Sequence, residues 1–174
     1  MTEADFLDRC ALNLSRADLA EIVAIPAMLS SDAEPDERRS AFIGAYAGWE
    51  RGFRNELAAL RAKRKATDAA AWLKAGRSDP SQAAAAAACF SVADPLEAEM
   101  AYERERWSAI DRLSALHAFD LDAIAAYRLK LAIAARLQSF QAERGRAAYA
   151  RIYDDILRPV ATRGAETTES GVQA

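Results

Sequence analysis

The sequence predicts an all-α fold, a bundle of six to seven helices with long central helices. Three observations predict it. Strand signals are nearly absent: there is no alternating Val/Ile/Thr run and no Asn-Gly or Asp-Gly turn between apolar runs. Apolar residues recur at spacings of three and four through most of the chain. Capping sequences stand where those periodic segments begin. The clearest is Asp94-Pro95-Leu96-Glu97, with Asp94 as N-cap, Pro95 as first helical residue and Glu97 closing the box.

Taken in order, the first element is a short helix over residues 3 to 12. Ser15 then caps a second, with Asp18 completing a capping box and Leu14 stapling onto Leu19. Pro26 should end or bend that helix within a residue or two. SSDAEP, residues 30 to 35, reads as a polar loop. Residues 36 to 66 read as one long helix, in which Phe42, Tyr46, Trp49, Phe53, Leu57 and Leu60 form one stripe. Glu50, Arg51, Arg54 and Arg61 fall roughly opposite, as a charged stripe. Trp72 and Leu73 suggest helix to about residue 75, followed by a turn at Gly76-Arg77-Ser78-Asp79-Pro80. The alanine run 83 to 88 favours a short helix, because alanine is the best helix former. The helix opened by Asp94 should run to about residue 118, with Leu96, Met100, Trp107, Ile110 and Leu113 on its apolar face. Phe119-Asp120 ends it and caps the next, with Asp122 in its first turn. From Leu121 the pattern is helical to about Leu157, apolar on two faces and therefore central; Gly145 is a candidate break. Pro159 ends it. Residues 1–159 thus form a single helical domain, and residues 160–174 are expected to be a disordered tail.

The chain has 174 residues, a net charge of -3 and an aromatic content of 8%. That charge argues against a nucleic-acid partner, which calls for a concentrated basic surface. Cys10 and Cys89 lie far apart and lack a Cys-x-x-Cys context, so both read as free thiols of a reducing compartment. No basic region precedes an apolar run at the N-terminus, and no stretch approaches the ~20 apolar residues of a spanning helix. These features predict a cytoplasmic protein that meets a membrane only indirectly, through partners.

Few residues invite a chemical role. Gly44, Gly48 and Gly52 recur every fourth residue, on a third face of the long helix. In membranes such spacing lets helices pack closely, but Glu50 and Arg51 stand inside the motif. The expected role is a groove for another helix, with Trp49 and Arg54 beside it, either within the chain or in a partner; the alanine-rich helix is the internal candidate. Arg61, Lys63, Arg64 and Lys65 form a basic cluster at the helix end, where they complement the dipole and can serve as a docking surface. His117 is the only histidine, which excludes a di-iron bundle. No motif places a nucleophile beside it. Glu97, Glu99, Glu103 and Glu105 alternate with Arg104 and Arg106 and read as a solvated face. No glycine-rich loop precedes a Lys-Ser/Thr pair. The residues therefore point to no catalysis, no cofactor and no metal.

Three segments resemble one known family: FIGAYAGWERGFRNELAALRAKR (42–64), DPLEAEMAYERERWSAIDRL (94–113) and FDLDAIAAYRLKLAIAARLQSFQAERGRAAYARI (119–152), with FLDRCALNLSRADLAEIVAI (6–25) in support. They resemble bacterial proteins that accompany V-type ATPase subunits. Those proteins are distantly similar to the C-type central-stalk component of rotary ATPases, the socket between the shaft and the proteolipid ring. The strongest motifs are Arg54-Asn55-Glu56-Leu57, Asp94 to Ala98, and Phe119 to Asp122. The resemblance implies an all-α, non-catalytic, cytoplasmic subunit, peripheral at the inner face of the membrane through the ATPase complex. Its expected partners are V-type ATPase subunits, and its role is to link or assemble central-stalk and membrane-ring components. The chain is shorter than a full socket protein of that type and lacks a Tyr-rich N-terminal segment, so an accessory role is as compatible as a socket. Two alternatives follow from the residues themselves. One is a small helical enzyme or ligand-binding bundle using inward-facing Glu103, Arg106 or His117. The other is a regulator that binds nucleic acid through residues 61 to 65.

Overall fold

In the computed structural model, residues 1–30, 40–76, 78–140, 145 and 150–152 are described. Among them stand six helices and no strand: α1 (Glu3–Asn13), α2 (Arg16–Ser30), α3 (Ala41–Arg64), α4 (Pro80–Ser91), α5 (Pro95–Leu113) and α6 (Leu121–Ser139). The fold is all-α, as the sequence predicts. The chain divides into two compact units, Met1–Leu137 and Gln138–Ala174. Everything that follows concerns the first. Of the second, residues 145 and 150–152 are helical. The rest of the helix expected to reach Leu157, the 160–174 tail and most of the SSDAEP loop lie outside the described residues.

Local sequence explains most helix ends. Thr2 and Asp5 exchange the bonds of a capping box at α1, and the Ser15 hydroxyl accepts from Asp18 N at 3.2 Å. Ser40 caps α3, Asp94 caps α5, and Asp120 Oδ1 accepts from Ala123 N at 2.8 Å to cap α6. Asp79 caps the alanine-rich α4, with Gln82 closing the box.

Three places differ from expectation. α3 stops at Arg64, near the expected 66, but the further helix to about residue 75 that Trp72 and Leu73 suggest does not form. Thr67 N donates to Ala62 O at 3.0 Å and Ala66 N to Lys63 O at 3.2 Å, with Ala66 at φ 52°. Those two bonds and the left-handed residue make a Schellman stop, and it is formed without glycine. Residues beyond it lie along α3, where Asn55 clasps the backbone of Lys74: its side-chain amide donates to Lys74 O at 2.8 Å and its carbonyl accepts from Lys74 N at 2.9 Å. Since a left-handed alanine costs about 1–2 kcal/mol, part of which a glycine would return to the unfolded chain, Ala66→Gly should stabilise by about 1 kcal/mol. An unchanged or lower midpoint in urea would contradict that. α5 stops at Leu113, five residues short of expectation, because residues 114–120 turn toward the Asp120 cap.

The third difference is Pro26. α2 does not end there but continues to Ser30. A proline has no N–H, so the carbonyl four residues back loses its helical donor. That carbonyl is Ile22 O, and Arg128 of α6 supplies the missing bond through Nη1. Arg128 is 5% exposed, and its Nη2 donates to Glu3 Oε1 of α1 at 2.9 Å. One guanidinium thus repairs α2 and ties α1 and α2 to α6.

The core is the aromatic stripe of α3 enclosed by the other helices. Phe42, Tyr46, Trp49 and Phe53 stack in succession, with centroids 6.2, 5.9 and 5.1 Å apart, and Tyr102 of α5 meets Phe53 edge-on. Ile22 and Ile25 of α2, Ala86 and Cys89 of α4, Ile110 of α5, and Ala125, Leu129 and Ile133 of α6 complete it. Cys10 and Cys89 are buried free thiols, and burial raises both above the usual thiol range. Among the described residues, no helix is long and apolar enough to cross a membrane.

Candidate functional site

α3, α5 and α6 turn charged side chains into one cleft. Glu50 on α3 and Glu103 on α5 are each only 2% exposed. Between them lies Arg106. Its Nε donates to the two Glu50 oxygens at 3.2 and 3.1 Å, and its Nη1 donates to Glu103 Oε1 at 2.9 Å. Two half-exposed arginines complete the pairing. Arg54 Nε donates to Glu50 Oε1 at 2.6 Å, and Arg136 on α6 reaches both Glu103 Oε1 and Glu99 Oε2 at 2.9 Å. Burial alone would lower the Arg106 pKa, but the Glu50 carboxylate outweighs it, with Glu103 assisting, and the group is held above its ordinary value. Buried charges are tolerated only with such partners.

This network corrects two readings of the sequence. Glu50 does not belong to a charged stripe opposite the core, and Glu103 is not part of a solvated face. The spacing carried the signal: Tyr46, Glu50, Phe53 and Leu57 follow one another at four, three and four, and so do Glu103, Arg106 and Ile110 at three and four. Both acids sit at core positions of their helices. Charge alone suggested solvent.

The cleft above the network has a volume of about 480 Å³ and apolar walls that include Leu57, Leu129 and Ile133. Tyr46 and Tyr102 also line it, at 3% and 8% exposed. Neither hydroxyl has a hydrogen-bond partner among the described residues. Burial, then the nearby Glu50 carboxylate, raises the Tyr46 hydroxyl well above its usual range, so it stays a neutral donor. Arg61 stands at the cleft with no acidic partner among the described residues. An inward-facing charged cleft is what the ligand-binding alternative expects of Glu103 and Arg106. The assembly reading expected none.

His117 is elsewhere. It does not line the cleft but bridges from the α5–α6 turn to Asp120 and Asp122, at 2.7 and 3.6 Å, and so faces the start of α6 rather than the end of α5. The bond to Asp120 raises its pKa above 6.5 and lowers that of Asp120. A raised imidazole stabilises the fold below the unfolded value near 6.5, and that contribution is lost as pH rises through the folded value. The chain's only imidazole should titrate above 6.5 by NMR, and His117→Gln should remove a loss of stability that wild type shows as pH rises through that value. Titration below 6.5 would refute the pairing.

The basic cluster does not form one patch. Arg61 and Lys65 share a smaller hollow with Thr67 and the exposed Trp72, whereas Arg64 stacks on Phe90, 4.1 Å from the ring centroid. Lys63 is exposed. Among the described residues, no group of His, Cys, Asp and Glu is disposed to hold a metal ion.

The glycines divide as well. Gly52 meets α4: a Cβ there would lie 2.7 Å from Gln82 Oε1 and 2.9 Å from Nε2. Gln82 is buried, donates to Trp49 O at 2.8 Å and accepts from Asp79 N at 2.7 Å, so its amide is held in place. The alanine-rich helix does therefore pack against this end of the stripe. Gly44 and Gly48 meet nothing within 4 Å and line an open hollow with Ala45, Ser81, Arg112 and Leu113. Trp49 is a member of the aromatic stack, and Arg54 serves Glu50. Gly44→Ala and Gly48→Ala should each stabilise the fold by up to about 1 kcal/mol through helix propensity. Gly52→Ala should instead destabilise it, by about 1 kcal/mol net, since displacing the Gln82 amide exceeds that gain. Equal shifts for all three in thermal unfolding would contradict the packing.

Compared with known proteins, the chain matches no family model, no curated protein and no solved structure.

Proposed function

We propose that the protein is a non-catalytic structural or accessory subunit of a bacterial V-type ATPase, which links or assembles central-stalk and membrane-ring components. The observation that supports the reading most is the use made of the residues that carry the sequence resemblance. Arg54 neutralises Glu50, Asn55 clasps Lys74 and Leu57 enters the core. Asp94 and Asp120 cap α5 and α6. All are joints of a scaffold, and a protein that holds others in register needs stiff joints. Gly44 and Gly48 support it too, because they leave a smooth face of α3 open to a partner helix.

The partners on this reading are V-type ATPase subunits, and attachment to the membrane is indirect. The test is affinity capture of the full chain from cells that contain the ATPase, beside Gly48→Leu. Wild type should recover ATPase subunits. Gly48→Leu should keep or raise its thermal midpoint, since the position is open and leucine is the better helix former, and lose the subunits. Recovery of no ATPase subunit from cells whose complex is intact would refute the proposal.

A further inference from the structure

The segment after α3 holds Trp72 in place from both sides. Trp72 N donates to Ala69 O at 2.9 Å, and two residues later Asn55 clasps the backbone of Lys74. The indole is nevertheless 59% exposed. It lines a hollow of about 300 Å³ at the end of α3, whose walls are mainly apolar and include Ala58 and Ala62. Arg61 and Lys65 line the same hollow. They stand one helical turn apart, so both cations serve one spot. Neither has an acidic partner among the described residues. Lys63 and Arg64 do not line it, and Arg64 is occupied with the Phe90 ring. The helix dipole accounts for a basic last turn. It does not account for a tryptophan pinned beside that turn with most of its surface in water.

From these we propose that the hollow between Arg61, Lys65 and Trp72 docks a short acidic segment of a partner protein, which lays a large apolar side chain against the indole and carboxylates on the two cations. Tryptophan and arginine are the residue types on which interface energy concentrates. Two unmatched charges at the rim steer an acidic segment in and fix its register. Their number argues against the other anionic surfaces. A basic cluster that holds anionic lipid carries about four to eight Lys and Arg, and two face this hollow. A polynucleotide would lie against the rest of a chain whose net charge is -3. The inference deepens the reading above, since it rests on the protein acting through protein partners. No ATPase component enters its test, so its failure is told apart from a failure of the capture experiment.

The test is calorimetric titration of the full chain with the blocked pentapeptide Glu-Asp-Phe-Asp-Glu, set against its neutral counterpart Gln-Asn-Phe-Asn-Gln. The acidic peptide should saturate below about 1 mM, and the neutral one should bind at least about tenfold more weakly. Arg61→Gln combined with Lys65→Gln should weaken the acidic peptide at least about tenfold. Lys63→Gln removes the same charge from an exposed neighbour outside the hollow and should leave binding unchanged. Trp72→Ala should abolish binding; if that variant unfolds, the pair on α3, both exposed, carries the test. Equal binding of the two peptides, a loss in Lys63→Gln as large as in the double variant, or no saturation below about 1 mM would each overturn the proposal. Inorganic phosphate or single-stranded oligothymidylate binding as tightly as the acidic peptide would assign the hollow to another ligand and overturn it too.

Discussion

Arg106→Leu should destabilise the protein by about 3–5 kcal/mol, as removal of one member of a buried ion pair does. The substitution leaves two carboxylates, each 2% exposed, held only by the arginines at the rim. Their desolvation has already been incurred in folding and is no longer compensated. The companion experiment separates charge from volume. Glu50→Leu, Glu103→Leu and Arg106→Leu combined remove the charges together and leave Arg54 and Arg136, whose side chains are 43% and 53% exposed, to turn to water. Replacing a whole buried network by apolar residues is often close to neutral, so the triple variant should recover most of the single variant's loss. Chemical denaturation of the three proteins measures both effects. A single-variant loss below about 1 kcal/mol would mean that these pairs behave as surface ion pairs.

The next largest effect is expected at Arg128. Arg128→Met keeps most of the buried volume and leaves Ile22 O without a donor, at a cost of about 1–3 kcal/mol. Glu3 is half exposed, so its lost bond adds little. The informative comparison is with Pro26→Ala. Alanine returns an N–H to position 26 and lets Ile22 O take its ordinary helical bond. In the Arg128→Met background, Pro26→Ala should therefore recover stability, and the two substitutions should be non-additive by about 1 kcal/mol or more. Strict additivity in a double-mutant cycle would show that the arginine does not stand in for the missing N–H.

Much of this molecule is legible in one dimension. The caps at Ser15, Asp94 and Asp120 fall where the sequence places them, because a cap is a bond between residues two or three apart. The aromatic stripe of α3 is equally plain, since it needs only the helical period. The expectations that fail are those in which a local rule meets a distant residue. Pro26 reads as an end or a bend of its helix; α2 does not end there, and Arg128, 106 positions along the chain from Ile22, supplies the missing donor. Glu50 and Glu103 read as solvated acids, and Arg106 and Arg136 make them core residues. One failure is local instead: Trp72 and Leu73 read as helix, and the Schellman stop at Ala66 precedes them with no glycine to announce it.

The glycine stripe shows the same division within nine residues. By itself the sequence determined that Gly44, Gly48 and Gly52 share one face of α3, distinct from the aromatic face, because a helix repeats every 3.6 residues whatever surrounds it. Only the tertiary structure decided that Gly52 is closed by Gln82 while Gly44 and Gly48 stay open. The sequence likewise determined that the chain is helical, where most of its helices start and which stripe of α3 enters the core, but not the inner face of α5, where Leu96 and Trp107 are exposed and Tyr102 and Ala109 are buried. Which charges are buried, and beside which cleft, depended on the meeting of α3, α5 and α6. Periodicity and capping are set by neighbours in sequence; burial of a charge is set by whether an opposite charge arrives from another helix.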